Sequence, residues 1–218
     1  MNAHARARKR FAPQGLQALT RADLTTATAV LADAFHDDPL WSAVFAGDGE
    51  REATYRAFVE TPLRYSLRYG GVHASSGLLE GIVAWVPGDR ADMSTWGLLA
   101  SGAFGSMMRI GPRAGKALQH VFAPWSRARR EHMRGRPFVY LTVVGVGRAD
   151  QGRGIGSRLM RSIGEASDGS GLPVYLETET EANVRFYQRL GFRVLETMTL
   201  PVVELSAWLM LREPSARS

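Results

Sequence analysis

Apolar residues recur at helical spacing in two stretches of the first third of the chain. Leu24, Ala27, Val30, Leu31, Ala34 and Phe35 share one face of a helix predicted over 21–35. Tyr55, Phe58, Val59, Leu63 and Leu67 do the same over about 50–69, and Gly70-Gly71 stops that helix. A short strand is predicted ahead of the first helix, over 16–20. Two more, 72–79 and 81–86, join at Glu80-Gly81 and are closed by Pro87-Gly88-Asp89. From 138 to 146 the chain is almost continuously apolar and β-branched, the pattern of a central strand covered on both faces.

Beyond that strand the two periods alternate. Ile155, Leu159, Met160 and Ile163 predict a helix over 154–166, 173–178 a strand, and 181–190 a helix ended by Gly191-Phe192. Two strand-like runs, 193–200 and 202–211, are split by Pro201. This order implies a mixed α/β sheet. Between 89 and 137 no clear alternation survives. Trp96, Leu98, Leu99, Phe104, Met107, Met108, Leu118, Val121, Phe122 and Trp125 lie among glycines and arginines there, which predicts several short helices inserted before the central strand. These apolar residues serve packing first, and the insertion is a candidate wall for a substrate pocket. One domain over 14–213 is expected, between a basic tail at 1–13 and a short tail at 214–218.

With 218 residues, 45% hydrophobic and 22% charged, the chain is long enough to bury a core unaided. The absence of cysteine excludes disulfide frameworks, thiol nucleophiles and thiolate metal sites, and fits a reducing, cytoplasmic setting. Of the formal charge of +6, Arg6, Arg8, Lys9 and Arg10 supply four, so a nucleic-acid partner is not expected. The uncharged run 93–108 is short and interrupted by Gly97, Gly102 and Gly105, and the basic start leads into no apolar stretch. Neither a membrane span nor a secretion signal is expected.

The chemistry concentrates after the central strand, in Val144-Gly145-Val146-Gly147-Arg148-Ala149-Asp150-Gln151-Gly152-Arg153-Gly154-Ile155-Gly156-Ser157. Three glycines within five residues let successive N–H groups turn to one point, and the helix that starts there adds the positive end of its dipole. Such a loop cradles an anion, a pyrophosphate above all. It is not a Walker loop, because Gly115-Lys116 is followed by Ala117 and no Gly-Lys-Ser/Thr occurs. Nor is it a dinucleotide fingerprint, because the glycines run GxGxG. No Gly-x-Ser-x-Gly elbow and no His-Glu-x-x-His motif is present, so neither a serine hydrolase nor a metal site is expected.

A second segment, Leu176-Glu177-Thr178 through Asn183 to Phe186-Tyr187-Gln188-Arg189-Leu190-Gly191-Phe192, completes a pattern. Gln151-Gly152-Arg153-Gly154-Ile155-Gly156 resembles the Q/R-x-x-G-x-G/A signature of the GNAT acyl-CoA N-acyltransferases, and the second segment resembles their tyrosine-bearing helix with the strand after it. Thr142-Val143-Val144-Gly145-Val146, Leu176-Glu177-Thr178, the pair Asn183 and Tyr187, and the long insertion are similar to the puromycin N-acetyltransferase-like branch. Thr180 stands where the commoner GNAT pattern has an asparagine.

The resemblance implies the GNAT fold: a mixed, mostly antiparallel sheet flanked by helices, with a V-shaped splay between two central parallel strands. It implies acetyl-CoA as cosubstrate, no metal, and transfer of an acetyl group to the primary amine of a small molecule by direct attack. Alternatives are a peptide or protein N-acetyltransferase, or a CoA-binding regulatory domain without turnover. By the same resemblance Val144, Gly145 and Val146 pair with pantetheine; Gln151, Gly152, Arg153, Gly154, Ile155, Gly156 and Ser157 hold the pyrophosphate; and Asn183 contacts the cofactor. Tyr187 is the expected acid for the departing thiolate and Glu177 the first choice of base, with His36, His73 and His132 as alternatives. Asp37-Asp38 either end a helix before Pro39 or hold a cationic amine. The arginines 127, 129, 130, 134 and 136 form either a solvated face or a contact for the CoA 3′-phosphate. A homodimer through the final strands is open.

Overall fold

A computed structural model of the chain describes residues 11–45, 51–200 and 205–215. The expectations placed on 1–10, on Pro201 and on 216–218 fall outside the described residues.

The short strand β1 (Gln17–Ala18) leads to α1 (Leu24–Ala34), α2 (Pro39–Val44) and α3 (Arg51–Tyr69), then to the strands β2 (Gly71–Ala74) and β3 (Gly81–Pro87). The insertion holds α4 (Thr95–Ser101), α5 (Phe104–Arg109) and α6 (Gly111–His132). There follow β4 (Val139–Val146), α7 (Ile155–Ser170), β5 (Val174–Thr178), α8 (Glu181–Gln188), β6 (Arg193–Leu200) and β7 (Leu205–Arg212). The seven strands form one sheet in the order β1-β2-β3-β4-β5-β7-β6. Every neighbouring pair is antiparallel except β4 and β5.

That parallel pair is the feature that positions the site. Val139 faces Val174 and Tyr140 faces Tyr175, and the pairing stops there. Past this point β4 stays registered with β3 out to Val146, while β5 stays registered with β7 out to Thr178. The sheet therefore opens as a wedge between its two halves. A bulge supplies a physical reason: Ala84 pairs with Val143 and Trp85 with Leu141, which leaves Thr142 as an extra residue in β4. A bulge bends its strand and increases the local twist, and this one sits two residues past Tyr140, the last residue paired with β5. The Thr142 hydroxyl lies 3.0 Å from Ser66 Oγ on α3, tying the bulge to the helix beneath it.

Three apolar clusters hold the layers. Leu141, Leu159, Met160, Ile163, Leu176, Phe192 and Met210 fill the space between α7, α8 and one face of the sheet. Leu31, Leu63, Ile82 and Ala84 join α1 and α3 to the opposite face of the first half. On that same side of the second half, Val121 and Trp125 of α6 meet Tyr140, Tyr175 and Leu209. Alternation along β5 thus turns Val174 and Leu176 toward α7 and Tyr175 toward the insertion.

The structure departs from the sequence reading in the insertion and adds a helix at Pro39. The longest part of the insertion is the single 22-residue helix α6, whose buried stripe Ala114, Leu118, Val121, Trp125 and Ala128 keeps helical spacing through Pro124. The first helix ends at Ala34, before Pro39, as one reading has it, and Asp38-Pro39 also begins α2. The Asp38 carboxylate accepts from the N–H groups of Leu40 and Trp41, and Pro39 occupies the first turn, where its missing donor costs nothing. Helix α7 runs on to Ser170, where Gly171 closes it at φ +72°.

Candidate active site

The glycine loop lies at the open end of the wedge. Gly147 N–H donates to Glu80 O at 2.9 Å, and the Gln151 side chain donates to Val146 O at 3.1 Å, so the chain turns sharply off the end of β4. Arg148 fixes the turn to α1: its N–H and Nε reach the two oxygens of Asp33 at 2.7 and 2.9 Å, and Nη1 reaches Asp37 at 3.3 Å. That contact holds the Asp33 carboxyl below the usual carboxylate range. Gly152 and Gly154 both adopt positive φ, +77° and +78°, and a Cβ at either would meet open space. Glycine is required there by the backbone conformation, not by crowding.

The resulting row of amides is free. Among the described residues, the N–H groups of 152 to 157 meet no backbone carbonyl, and the first carbonyl-bonded amide of α7 is that of Arg158, to Gly154 O at 3.0 Å. These donors and the positive end of a 16-residue helix can receive a diphosphate. Gln151 differs from the rest, since its N–H points back to Arg148 O at 3.4 Å and its side chain clasps Val146. Arg153 pairs with Asp150. Val144 and Val146 lie on the stretch of β4 that has lost β5 as a partner, with Gly145 between them packed on α1. A Cβ on Gly145 would come within 2.7 Å of Leu31 Cδ2.

Glu177 is on the other lip of the wedge, but it is not free. Its side chain is 3% exposed and accepts from Arg129 Nη1 at 2.6 Å, the arginine being 5% exposed. Arg129 also reaches Asp92 at 2.8 Å and lies over the Tyr140 ring at 4.4 Å. Burial raises the proton affinity of Glu177, while Arg129 and the Tyr140 hydroxyl pull it down. The α6 arginine at the centre of this pair is thus neither a solvated residue nor a phosphate contact. Its neighbour Arg130 pairs with Asp92 and Arg136 with Glu213.

Tyr187 lies on α8, its ring between Phe186 at 5.1 Å and Phe192 at 5.5 Å. Burial pushes its phenol up, and the charge of Glu179 adds to the rise. The helix that carries it is capped by Thr180, whose hydroxyl accepts from Asn183 N–H at 3.2 Å, and Asn183 is itself exposed. Glu179, one residue beyond the end of β5, is pushed up to about 8 by burial and by the nearby carboxylates Asp38 and Glu177. The sequence reading did not single out Glu179. The carboxylates alternating through Glu177-Thr178-Glu179-Thr180-Glu181 at a strand end were the available signal. Of the histidines, His36 pairs with exposed Asp37 and His132 with Glu196, while burial lowers His73.

Residues 125–194 match the family described as the acetyltransferase (GNAT) domain. An uncharacterised N-acetyltransferase of Schizosaccharomyces pombe is 27% identical over 205 residues, 90% of this chain and 82% of the relative. A solved structure from Corynebacterium glutamicum, described as histone acetyltransferase HPA2 and related acetyltransferase, superimposes with a TM-score of 0.59 at 21% identity, covering 94% of this chain and 99% of that one. The polyamine N-acetyltransferase of Drosophila melanogaster, described as forming N-acetylagmatine, superimposes at 0.63 with 17% identity over 91% and 98%. The fold is the GNAT fold, and the matched domain with the yeast relative makes this chain an acetyltransferase.

Proposed function

We propose that the chain is an acetyl-CoA-dependent N-acetyltransferase acting on the primary amine of a small molecule, within or beside the puromycin N-acetyltransferase-like branch. The observation that carries this reading is the conjunction of the opened β4–β5 pair with the free amides of 152 to 157 at its mouth. A pantetheine arm has amides of its own, and the unpaired stretch of β4 around Val144, Gly145 and Val146 offers backbone groups to pair with them. The amides of Gly152, Arg153, Gly154, Ile155, Gly156 and Ser157 hold the diphosphate, Gln151 shapes the turn, and Asn183 lies at the exposed start of α8. Bound acetyl-CoA supplies the activated acetyl group as a thioester.

This chain's own residues do the rest. The wedge orients acceptor and acyl donor, which makes an encounter effectively unimolecular. Tyr187 keeps its proton across the neutral range because burial raises its phenol, and it donates that proton to the departing sulfur. The buried pair with Arg129 gives Glu177 a positioning role, joining β5 to the insertion on the acceptor side. A small-molecule acceptor agrees with the N-acetylagmatine product of the Drosophila neighbour and with an aromatic cluster in which Phe122 of the insertion meets Trp41 of α2 and Phe58 of α3, the ring centroids 4.5–6.3 Å apart.

Thiol release from acetyl-CoA across puromycin, agmatine, spermidine, an aminoglycoside and short peptides tests the reading. Turnover of a small amine is expected. Turnover confined to peptides would move the acceptor to protein, and acetyl-CoA binding without turnover of any amine would leave a regulatory domain.

A further inference from the structure

An amine near neutral pH arrives as an ammonium ion, and it must lose a proton before its lone pair can attack a carbonyl carbon. Most carboxylates around the wedge are already committed to cations. Glu177 and Asp92 hold Arg129, Asp92 also holds Arg130, and Asp33 and Asp37 hold Arg148. Glu179 is different. Among the described residues no arginine, lysine or histidine lies within ion-pair distance of it. The titratable groups near enough to act on it electrostatically are Asp38 from the start of α2, Glu177 from β5, Tyr140 from β4 and Tyr187 from α8. It stands at the first position past β5, where that strand has parted from β4, and directly before the cap of the helix that carries Tyr187.

We propose that Glu179 takes the proton from the acceptor ammonium; this rests on the acetyltransferase reading above and adds the base to it. A carboxylate without a cation, set among acidic and phenolic neighbours, attracts an ammonium and accepts its proton readily. The proton passes from the acceptor nitrogen to Glu179 Oε, and the freed lone pair forms the C–N bond as the C–S bond breaks. The sulfur takes a proton from Tyr187 Oη, the new amide nitrogen returns one to that phenolate, and Glu179 releases its own to solvent. The sum is ammonium plus thioester giving amide, thiol and one proton. Glu179 is held up to about 8, close to the operating range of such a base.

The test is the pH dependence of kcat/KM, from pH 6 to 10, for wild type, Glu179→Gln and Glu179→Asp. The acceptor is the panel amine with the highest kcat/KM, and acetyl-CoA affinity is followed by calorimetry. Wild type is expected to rise with pH and level off near 8. Glu179→Gln falls about 100-fold at pH 7, keeps its acetyl-CoA affinity within twofold, and climbs without levelling until the amine's own ionisation is reached. Glu179→Asp restores the plateau at reduced rate. A Glu179→Gln rate within threefold of wild type, with the plateau unchanged, overturns the proposal while the acetyltransferase reading stands. A wild type that binds no acetyl-CoA and acetylates no amine overturns both.

Discussion

Replacing Arg129 by leucine removes the cation from one of the most enclosed carboxylates in the molecule. Glu177 is 3% exposed and its partner 5%, at 2.6 Å, so water cannot take the arginine's place cheaply. Breaking a buried pair from one side costs about 3–5 kcal/mol. A second route gives a similar figure: the stranded carboxylate protonates, and at pH 7 that costs about 1.4 kcal/mol for each unit above its unfolded pKa near 4.3, or about 3.8 kcal/mol. In a chain of this size that is roughly 8–15 °C in melting temperature. The penalty also depends on pH. In the variant Glu177 has a raised folded pKa, so the loss is small near pH 4.5 and grows as pH rises. Urea unfolding of wild type, Arg129→Leu and Arg129→Leu/Glu177→Leu at pH 5 and 8 measures this. The double variant should recover most of the stability, since two apolar groups replace the pair without a stranded charge. A single-variant loss below about 1 kcal/mol, or one equal at both pH values, would refute the role given to Arg129.

Further outcomes follow from the same geometry. Tyr187→Phe should lower kcat at least tenfold with acetyl-CoA affinity nearly unchanged in stopped-flow thiol release, and an unimpaired variant would remove Tyr187 as the acid. Gly145→Ala should cost about 1–3 kcal/mol in urea unfolding, because its Cβ would stand 2.7 Å from Leu31 Cδ2 in a packed layer. Gly154→Arg should abolish acetyl-CoA binding in calorimetry by placing a long side chain at the mouth of the amide row and straining a backbone at φ +78°. Glu179 has a raised folded pKa, so the folded state binds more protons than the unfolded one between the ordinary glutamate value and about 8. Stability should therefore fall as pH rises through that window, and Glu179→Gln should flatten the fall.

The second half of the chain was legible because its elements are long, periodic and bounded by glycine. The apolar run at 138–146 became β4, the Ile155-Leu159-Met160-Ile163 face became the buried side of α7, and Gly191 ended the turn after α8. Helix α6 was not legible as one helix, since Gly111, Gly115 and Pro124 carry breaker signals that its packing against Tyr140 and Tyr175 overrides. Asp38-Pro39 was ambiguous for a local reason: the same dipeptide that stops one helix caps the next. The site divided the same way. A glycine row announces its backbone conformation, so the left-handed turns at Gly152 and Gly154 were visible in the sequence. Which carboxylate carries a cation depends on residues far apart in the chain. Glu177 owes its partner to Arg129, 48 residues upstream, and Glu179 faces Asp38 from a still more distant element.

The central claim is that the amides at the mouth of the wedge grip the diphosphate of acetyl-CoA. Amide chemical shifts of uniformly 15N-labelled protein, followed as coenzyme A is added, report on it directly. The account expects the resonances of Gly152, Gly154, Ile155, Gly156 and Ser157 to move farthest and to saturate together, with Val144 and Val146 following. Saturating shifts confined to other elements, with 152 to 157 unmoved, would contradict it.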